Sequence, residues 1–164
     1  AVRQGDRIVL DGRNGSGKTS LLKLLLGQEI PHHGTLTVGS GVVISYVPQD
    51  TSRLAGLLTD FAAESQLDES LFRAILHKMN FSRVQFEKNM EDYSAGQKKK
   101  VLLAKSLCER AHLCVGDEPL NYIDVYSRMQ VETLIQEFCP TMIFVEHDLA
   151  FQNAIATGKV HISV

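Results

Sequence analysis

A glycine-rich segment near the start of the sequence combines residue types and spacing that can bind a phosphate group. Residues 12–19, Gly-Arg-Asn-Gly-Ser-Gly-Lys-Thr, match the pattern G-x-x-x-x-G-K-[ST] between a predicted strand and a predicted helix. In such a loop, successive backbone N–H groups surround the β-phosphate at a helix N-terminus, where the helix dipole favours negative charge. Lys18 can then reach the β- and γ-phosphates, and the Thr19 hydroxyl can ligate Mg²⁺. The segment predicts a nucleotide site formed by Gly12, Asn14, Gly15, Ser16, Gly17, Lys18, Thr19 and Ser20.

Two acidic residues and one histidine follow predicted strands further along the chain. Asp117 and Glu118 come after a strand predicted at residues 113–115, and His147 comes after a strand predicted at residues 141–145. Asp117 is placed to bind the coordination shell of a Mg²⁺ ion, whereas Glu118 can polarise a water molecule for in-line attack on the γ-phosphate. His147 is placed where it can sense the γ-phosphate. Taken alone, the acidic pair fits a solvated loop equally well, and a lone histidine is more often structural than functional.

A helix predicted to begin at Ser94 offers a second place for an anion. Ser94 is a favourable N-cap residue, and the small residues after it leave backbone N–H groups accessible at the positive end of the helix dipole. Lys98, Lys99 and Lys100 follow directly. Because consecutive residues of a helix point about 100° apart, these lysines cannot form one tight patch. We therefore expect a solvated helix start rather than a contact with RNA phosphates.

Alternating strands and helices must position these groups. Short apolar runs bounded by Gly or Pro predict strands, and amphipathic segments with good N-cap residues predict helices. The predicted strands span residues 7–11, 35–38, 42–47, 113–115, 141–145 and 159–164. Helices are predicted at residues 18–27, at residues 71–79 with Asp68 as the candidate N-cap, and at residues 124–138. Two more are predicted to begin at Ser94 and Asp148, and residues 57–89 form a helical and more polar region. Since helical connections of this length join strands by crossovers, we predict an α/β fold with a mainly parallel sheet.

Length and composition exclude several classes of protein. The chain has 164 residues, of which 44% are hydrophobic and 22% charged, and this length predicts one domain. The longest apolar run has four residues, whereas a membrane span needs roughly 20. A formal net charge of −2 gives no general electrostatic reason to bind DNA. Three cysteines without a Cys-x-x-Cys pair favour a reduced, cytoplasmic setting in which each cysteine is a small buried residue.

In this order, the motifs resemble those of the nucleotide-binding domain of an ABC ATPase over nearly the whole chain. Residues 12–19 match the Walker A motif, 94–97 the ABC signature, 115–118 the Walker B strand, and 120–124 the D-loop. Gln49 matches the Q-loop glutamine, and His147 matches the switch histidine. The resemblance implies a P-loop NTPase fold of ABC type with a small helical subdomain, and ATP and Mg²⁺ as cofactors. It also implies that Glu118 and His147 are catalytic and that Thr19, Gln49 and Asp117 bind Mg²⁺. Ser94, Gly96 and Gln97 would contact the ATP of a partner domain, and Asp124 would belong to the D-loop.

Three segments are closer still to the ABC-F branch of this family. Residues 93–101, 117–125 and 140–148 resemble the second ATPase domain of antibiotic-resistance ABC-F proteins, which are tandem ATPases that act on the ribosome. The resemblance implies a second ABC ATPase domain and the ribosome as partners, with no direct insertion into a membrane. We expect residues 1–164 to form one domain with a helical subdomain at residues 50–93, too short for a long inserted arm. Because 11 residues precede Gly12, we expect the family's N-terminal strands and adenine-stacking aromatic residue to be missing from this stretch.

Two other functions are compatible with these residues. The same domain could drive a membrane transporter, which would need a docking groove after Gln49 that one sequence does not reveal. A nucleotide-binding module without hydrolysis is the second alternative, although Glu118 and His147 argue against it.

The sequence also departs from the family, since Ala95 replaces the first signature glycine and Gly116 replaces a bulkier Walker B residue, which lowers β propensity. We expect the isolated chain to be a weak ATPase, because its composite sites need a partner domain.

Overall fold

Five strands and seven helices make up the computed structural model, which describes residues 1–163. The strands are β1 (Arg7–Asp11), β2 (Ile44–Val47), β3 (Leu113–Asp117), β4 (Met142–Val145) and β5 (Gly158–His161). The helices are α1 (Lys18–Leu25), α2 (Leu58–Glu64), α3 (Glu69–Lys78), α4 (Arg83–Glu87), α5 (Ala95–Cys108), α6 (Val125–Phe138) and α7 (Leu149–Ile155), with a short 3₁₀ helix at Met90–Asp92. No helix within residues 1–163 is both long and apolar enough to cross a bilayer.

The strands form one parallel sheet in the order β2-β3-β4-β1-β5. All four neighbouring pairs are parallel, which confirms the predicted α/β fold with a mainly parallel sheet. All four residues of β4 are buried, because helices cover both faces of a parallel sheet. Since every strand runs in the same direction, the segments that follow the strands meet at one edge of the sheet. The phosphate-binding loop, Gln49, the acidic pair and His147 all lie at this edge.

The main differences between the predicted strands and the structure concern three of them. Residues 35–38 are not a strand, and Leu36 and Val38 are exposed. Polar and apolar residues do alternate over residues 35–38, but a strand is stable only when it pairs with another strand. None of the described strands pairs with this segment. The final strand ends at His161 rather than at Val164, which lies outside the described residues. The strand predicted at residues 113–115 is longer, because Gly116 and Asp117 also join the ladder with β2 and β4.

Helices α2, α3 and α4 lie in the part of the chain between β2 and α5. Their apolar side chains, with those of neighbouring loops, pack against α5 in one core, including Phe72, Ile75, Leu76, Met79, Phe81, Val101 and Ala104. Asp68 caps α3 as predicted, because its side chain accepts a hydrogen bond from the Leu71 N–H at 3.1 Å. This core fixes the direction of α5 and therefore the position of Ser94 at its start.

Buried cysteines were predicted at all three positions, and the structure buries two of them. Cys108 and Cys114 lie in the core, where burial raises the pKa of both thiols. The prediction is wrong for Cys139, which is exposed at the C-terminal end of α6. Its backbone has φ of 47°, the left-handed conformation that ends many helices and turns the chain outward.

Candidate active site

The loop at residues 12–17 joins β1 to α1 and has the backbone conformation of a phosphate cradle. Gly15 and Gly17 have φ of 81° and 96°, values that residues with a Cβ rarely adopt. A Cβ on Gly12 would lie 2.5 Å from the Ile162 carbonyl oxygen, so the end of the sheet leaves room only for glycine there. The buried Lys18 ammonium donates hydrogen bonds to the carbonyl oxygens of Gly12 and Arg13. The loop therefore holds a positive charge at the N-terminus of a helix.

Thr19 and Asp117 meet at the next position along this edge. The Thr19 hydroxyl donates to Asp117 Oδ2 at 3.2 Å, although 98 residues separate the two. Asp117 is 2% exposed, and its other oxygen, Oδ1, has no hydrogen-bond partner among the described residues. Burial raises the pKa of Asp117, and the Thr19 hydrogen bond opposes this only in part. A buried carboxylate oxygen without a partner, beside a hydroxyl, is a donor set that suits Mg²⁺.

A pocket of about 420 Å³ opens between these groups. Its lining includes most of the residues predicted to bind the nucleotide or its metal, namely Asn14, Gly15, Gly17, Lys18, Thr19, Ser20, Gln49 and Asp117. Glu118, predicted to be catalytic, and Val145 complete the lining. A larger cavity of about 970 Å³ lies at the opposite edge, where β3 and β4 begin. Ligands of parallel α/β sheets bind beyond the carboxyl ends of the strands, so we assign the smaller pocket as the candidate active site.

Glu118 and His147 contact each other beside this pocket. His147 Nε2 lies 2.9 Å from Glu118 Oε1, although the residues follow different strands. The backbone of Glu118 has φ of 50°, a left-handed conformation that costs a residue with a side chain about 1–2 kcal/mol. Its N–H donates to the Val145 carbonyl oxygen at 2.9 Å, which fixes this turn to β4. Strain of this kind is often found where a side chain must be aimed at a reacting group.

Gly116 packs closely against Pro119, which directly follows the acidic pair. It lies inside β3, and a Cβ at this position would lie 3.1 Å from the Pro119 side chain. The sequence alone indicated only a loss of β propensity and packing at Gly116. The structure adds a steric reason for glycine, because Pro119 folds back over the strand directly after Glu118.

The three signature residues lie at the start of α5, outside the lining of the 420 Å³ pocket. The Ser94 hydroxyl accepts from the Gln97 N–H at 3.2 Å, and Gln97 Oε1 accepts from the Ser94 N–H at 2.9 Å. This reciprocal cap makes Ser94 the N-cap of the helix, as predicted. A Cβ on Gly96 would lie 2.5 Å from the Tyr122 carbonyl oxygen, so the helix start packs directly on the loop at residues 120–124.

Asp124 ends that loop and caps α6. Burial would raise the pKa of its carboxyl group, but hydrogen bonds from Ser127 and the ammonium of Lys100 lower it to about 2. Lys100 Nζ lies 3.0 Å from Asp124 Oδ1. Asp124 lies outside the pocket lining, so the structure connects it to α5 rather than to the phosphate-binding loop.

The expectation of solvated lysines is wrong for Lys99 and Lys100, which are both buried. Lys99 is fully buried, and its ammonium donates to the carbonyl oxygens of Pro48 at 2.7 Å and Gln49 at 3.3 Å. Burial lowers the pKa of Lys99, while Asp117, Glu146 and Glu118 oppose this shift. Lys99 thus connects α5 to the segment that carries Gln49. The only sequence signal was its place one helical turn after Ala95, which does not reveal what lies beneath.

Comparison with known proteins gives consistent results. A family model described as "ABC transporter" matches residues 1–121. The ATP-binding protein Uup of Caulobacter vibrioides is 32% identical, over 97% of this chain and 28% of that protein. The ribosome protection protein VmlR of Bacillus subtilis is 29% identical, over 99% of this chain and 30% of that protein. The chain therefore spans less than a third of the length of these relatives.

Solved structures agree with the fold. In the crystal structure of an archaeal ribosomal stalk protein in complex with the archaeal ribosome recycling factor aABCE1, the matching chain superposes with a TM-score of 0.81. The match covers 98% of this chain and 32% of that chain at 24% sequence identity. At this identity the likeness shows the fold alone.

Proposed function

This chain belongs to the ABC transporter family, and from that premise we propose that it is an ATP-binding and ATP-hydrolysing domain of an ABC-F type protein that acts on the ribosome. Members of this family are ATPases in general, and their ATP-binding domains typically use Mg²⁺. The observation that carries the proposal for this chain is the edge of the sheet where Thr19 meets Asp117 and Glu118 meets His147.

We propose the following roles for the residues of the pocket. The backbone N–H groups of residues 14–19 and the Lys18 ammonium bind the phosphates. Thr19, Gln49 and Asp117 would hold Mg²⁺, which would supply positive charge to neutralise the phosphates. Glu118 then accepts a proton from a water molecule as the water oxygen attacks the γ-phosphorus. The bond to the β-phosphate oxygen breaks, and ADP and phosphate leave.

In this proposal, His147 acts on the ATP bound to this chain, whereas the signature residues act on the ATP bound to a partner domain. The His147 ring contacts Glu118 at the edge of the pocket, and we propose that it also senses the γ-phosphate when ATP is bound. Ser94, Gly96 and Gln97 serve the ATP of a partner domain, because they lie outside this chain's own pocket. A second ATPase domain would supply the matching signature in return, and closure and reopening of the pair would follow ATP binding and hydrolysis.

Support for a ribosomal partner comes from relatives and from three sequence segments. One relative is named as a ribosome protection protein, and it matches 99% of this chain. Residues 93–101, 117–125 and 140–148 resemble the ABC-F branch rather than ABC domains in general. The alternative, an ATP-binding subunit of a membrane transporter, uses the same chemistry and differs only in the partner.

A glutamate substitution in the intact protein tests both parts of the proposal. Glu118→Gln keeps the size of the side chain but removes the proton acceptor, so we expect hydrolysis to fall by about 100-fold or more while ATP binding is retained. Glu64→Gln, at an exposed glutamate on α2, is the control and should leave both unchanged. Phosphate release measures turnover, and equilibrium binding of a fluorescent ATP analogue measures affinity. Unchanged phosphate release in Glu118→Gln would contradict the assignment of Glu118.

The same variant tests the ribosomal partner. Because Glu118→Gln should hold ATP without turnover, the intact variant should co-sediment with ribosomes when ATP is added and not without it. Absence of sedimentation, together with ATP-dependent binding to membranes containing a transporter subunit, would favour the transporter alternative.

A further inference from the structure

A buried carboxylate next to His147 takes no part in the roles above. Glu146 follows β4 directly, and the residue is 9% exposed. Its two oxygens point to two different segments. Oε2 accepts from the Leu120 N–H at 3.1 Å, and Oε1 accepts from the His147 N–H at 3.0 Å. One side chain therefore joins the loop at residues 120–124 to the segment that carries the histidine.

These contacts complete a closed ring around the catalytic pair. Leu120 is two residues after Glu118 in the chain, and Glu146 is covalently joined to His147. Hydrogen bonds close the two remaining gaps, between Leu120 and Glu146 and between His147 and Glu118. In such a ring, the distance between the Glu118 and His147 side chains depends on where the Glu146 carboxylate holds the two backbone N–H groups.

Burial of this carboxylate is costly unless its charge is compensated. The two backbone N–H groups provide charge-assisted hydrogen bonds, and the buried Lys99 ammonium is close enough to interact electrostatically with Glu146. The Gln152 side chain also donates to the Glu146 backbone oxygen, so this part of the chain is held from α7 as well. An apolar residue would fill the same space without these costs, which points to a role for the charge.

We propose that Glu146 is a positioning residue that couples the loop at residues 120–124 to His147 and so sets the geometry of the Glu118–His147 pair. The proposal rests on the function proposed above for Glu118 and His147. A movement of the loop displaces the Leu120 N–H, the carboxylate follows it, and the other oxygen moves the His147 backbone. Glu146 itself does not line the 420 Å³ pocket, so in this proposal it acts through the residues it positions.

Glu146→Gln in the intact protein tests this role with little change in volume. An amide has one acceptor oxygen and one NH₂ donor, so it can keep only one of the two contacts and places a donor against the other N–H. We expect kcat to fall about tenfold while the KM for ATP changes less than twofold. Glu146→Asp keeps the charge but is one methylene shorter, so it cannot bridge both groups and should lose kcat as well. If Glu146→Gln raises KM and leaves kcat unchanged, the proposal is wrong.

A matched control separates positioning from stability. Ser106→Ala removes a buried hydroxyl that bonds Ser45 at 2.8 Å in the C-terminal half of α5, away from the pocket. We expect it to lower the melting temperature without changing kcat. Loss of kcat in Ser106→Ala in proportion to its loss of stability would show that any buried polar deletion slows the enzyme, and this would overturn the assignment.

A double substitution separates this proposal from the proposed function. If Glu146 acts through His147, adding Glu146→Gln to His147→Ala should reduce kcat no further than His147→Ala alone. Independent, multiplying losses would overturn the coupling while leaving His147 as a functional residue. A His147→Ala variant with full activity would instead contradict the proposed function itself.

Discussion

At the scale of single residues, the buried carboxylate of Asp117 affects both the stability of the folded chain and the proposed binding of Mg²⁺. A buried carboxylate with one unpartnered oxygen has a raised pKa because its charged form is poorly solvated. A group whose pKa is raised on folding stabilises the folded state at low pH and loses this contribution as pH rises through the folded-state pKa. The ionised form of Asp117 therefore lowers the stability of the folded state, and a bound cation, as proposed for Mg²⁺, would offset this cost.

Asp117→Asn should therefore stabilise the protein and inactivate it. The amide oxygen can still accept from Thr19, but no charge remains to be buried or to bind Mg²⁺. We expect a higher urea midpoint at pH 7 without Mg²⁺, and a loss of Mg²⁺-dependent hydrolysis of about 100-fold or more. Asp60→Asn, at an exposed position on α2, should change neither. A lower urea midpoint in Asp117→Asn would show that the charge of Asp117 is compensated in the folded chain.

At the scale of elements, α5 connects several parts of the site. Its first turn carries Ser94 and Gly96, and its buried lysines reach Gln49 and Asp124. The helix also packs on the 120–124 loop through Gly96 and on the core of α3 through Val101. A displacement of α5 would therefore reach Gln49, Asp124 and the loop together, which is what a domain that closes on a partner needs.

The cap of α6 predicts a pH dependence at this scale. The folded-state pKa of Asp124 is about 2, against an ordinary value of 3.8, so its contribution to stability is complete above about pH 5 and falls as the pH decreases toward 2. Asp124→Ala should lower the free energy of unfolding at pH 7 by about 1 kcal/mol, through loss of the N-cap and of the Lys100 ion pair. Urea unfolding between pH 4 and pH 2 should then fall less steeply with pH than in the parent. Asp92→Ala, at an exposed carboxylate, is the control, and an equal pH slope in Asp124→Ala and the parent would contradict the low pKa.

At the scale of the whole molecule, the proposed function divides the ATP site between two domains. The pocket at the carboxyl edge contains Glu118 and the residues proposed to bind phosphate and Mg²⁺, whereas Ser94, Gly96 and Gln97 lie outside it. Under this proposal, each site would need a second domain of the same type to complete it. The length of the relatives, more than three times that of this chain, is consistent with such an arrangement.

The division of the site predicts a concentration dependence. Turnover per chain should be low when the isolated chain is dilute and should rise with chain concentration as two copies complete each other's sites. Phosphate release over a dilution series measures this, with circular dichroism to check that the chain stays folded. In a Ser94→Ala chain the rise should be much smaller, because each copy then offers a defective signature. Constant turnover per chain over the series would mean that one copy carries a complete site.

The sequence by itself determined the alternation of strands and helices and the glycine-rich loop between the first strand and the first helix. These features are local, because strand and helix periodicity, N-caps at Asp68 and Ser94, and the glycines of residues 12–17 depend on neighbours along the chain. The parallel sheet followed from the same information, since helical crossovers leave few other ways to pair the strands.

Only the tertiary structure decided what those elements bring together. The pattern at residues 35–38 predicts a strand, but a strand depends on a partner that is distant in sequence or absent from the described chain. The sequence predicts that Lys99 is solvated, whereas in the structure α5 places its ammonium against the Pro48 and Gln49 carbonyl groups. The sequence around Glu146 does not indicate that its side chain contacts Leu120, which lies 26 residues earlier. Contacts of this kind are set by packing between distant segments, and local sequence patterns carry no record of them.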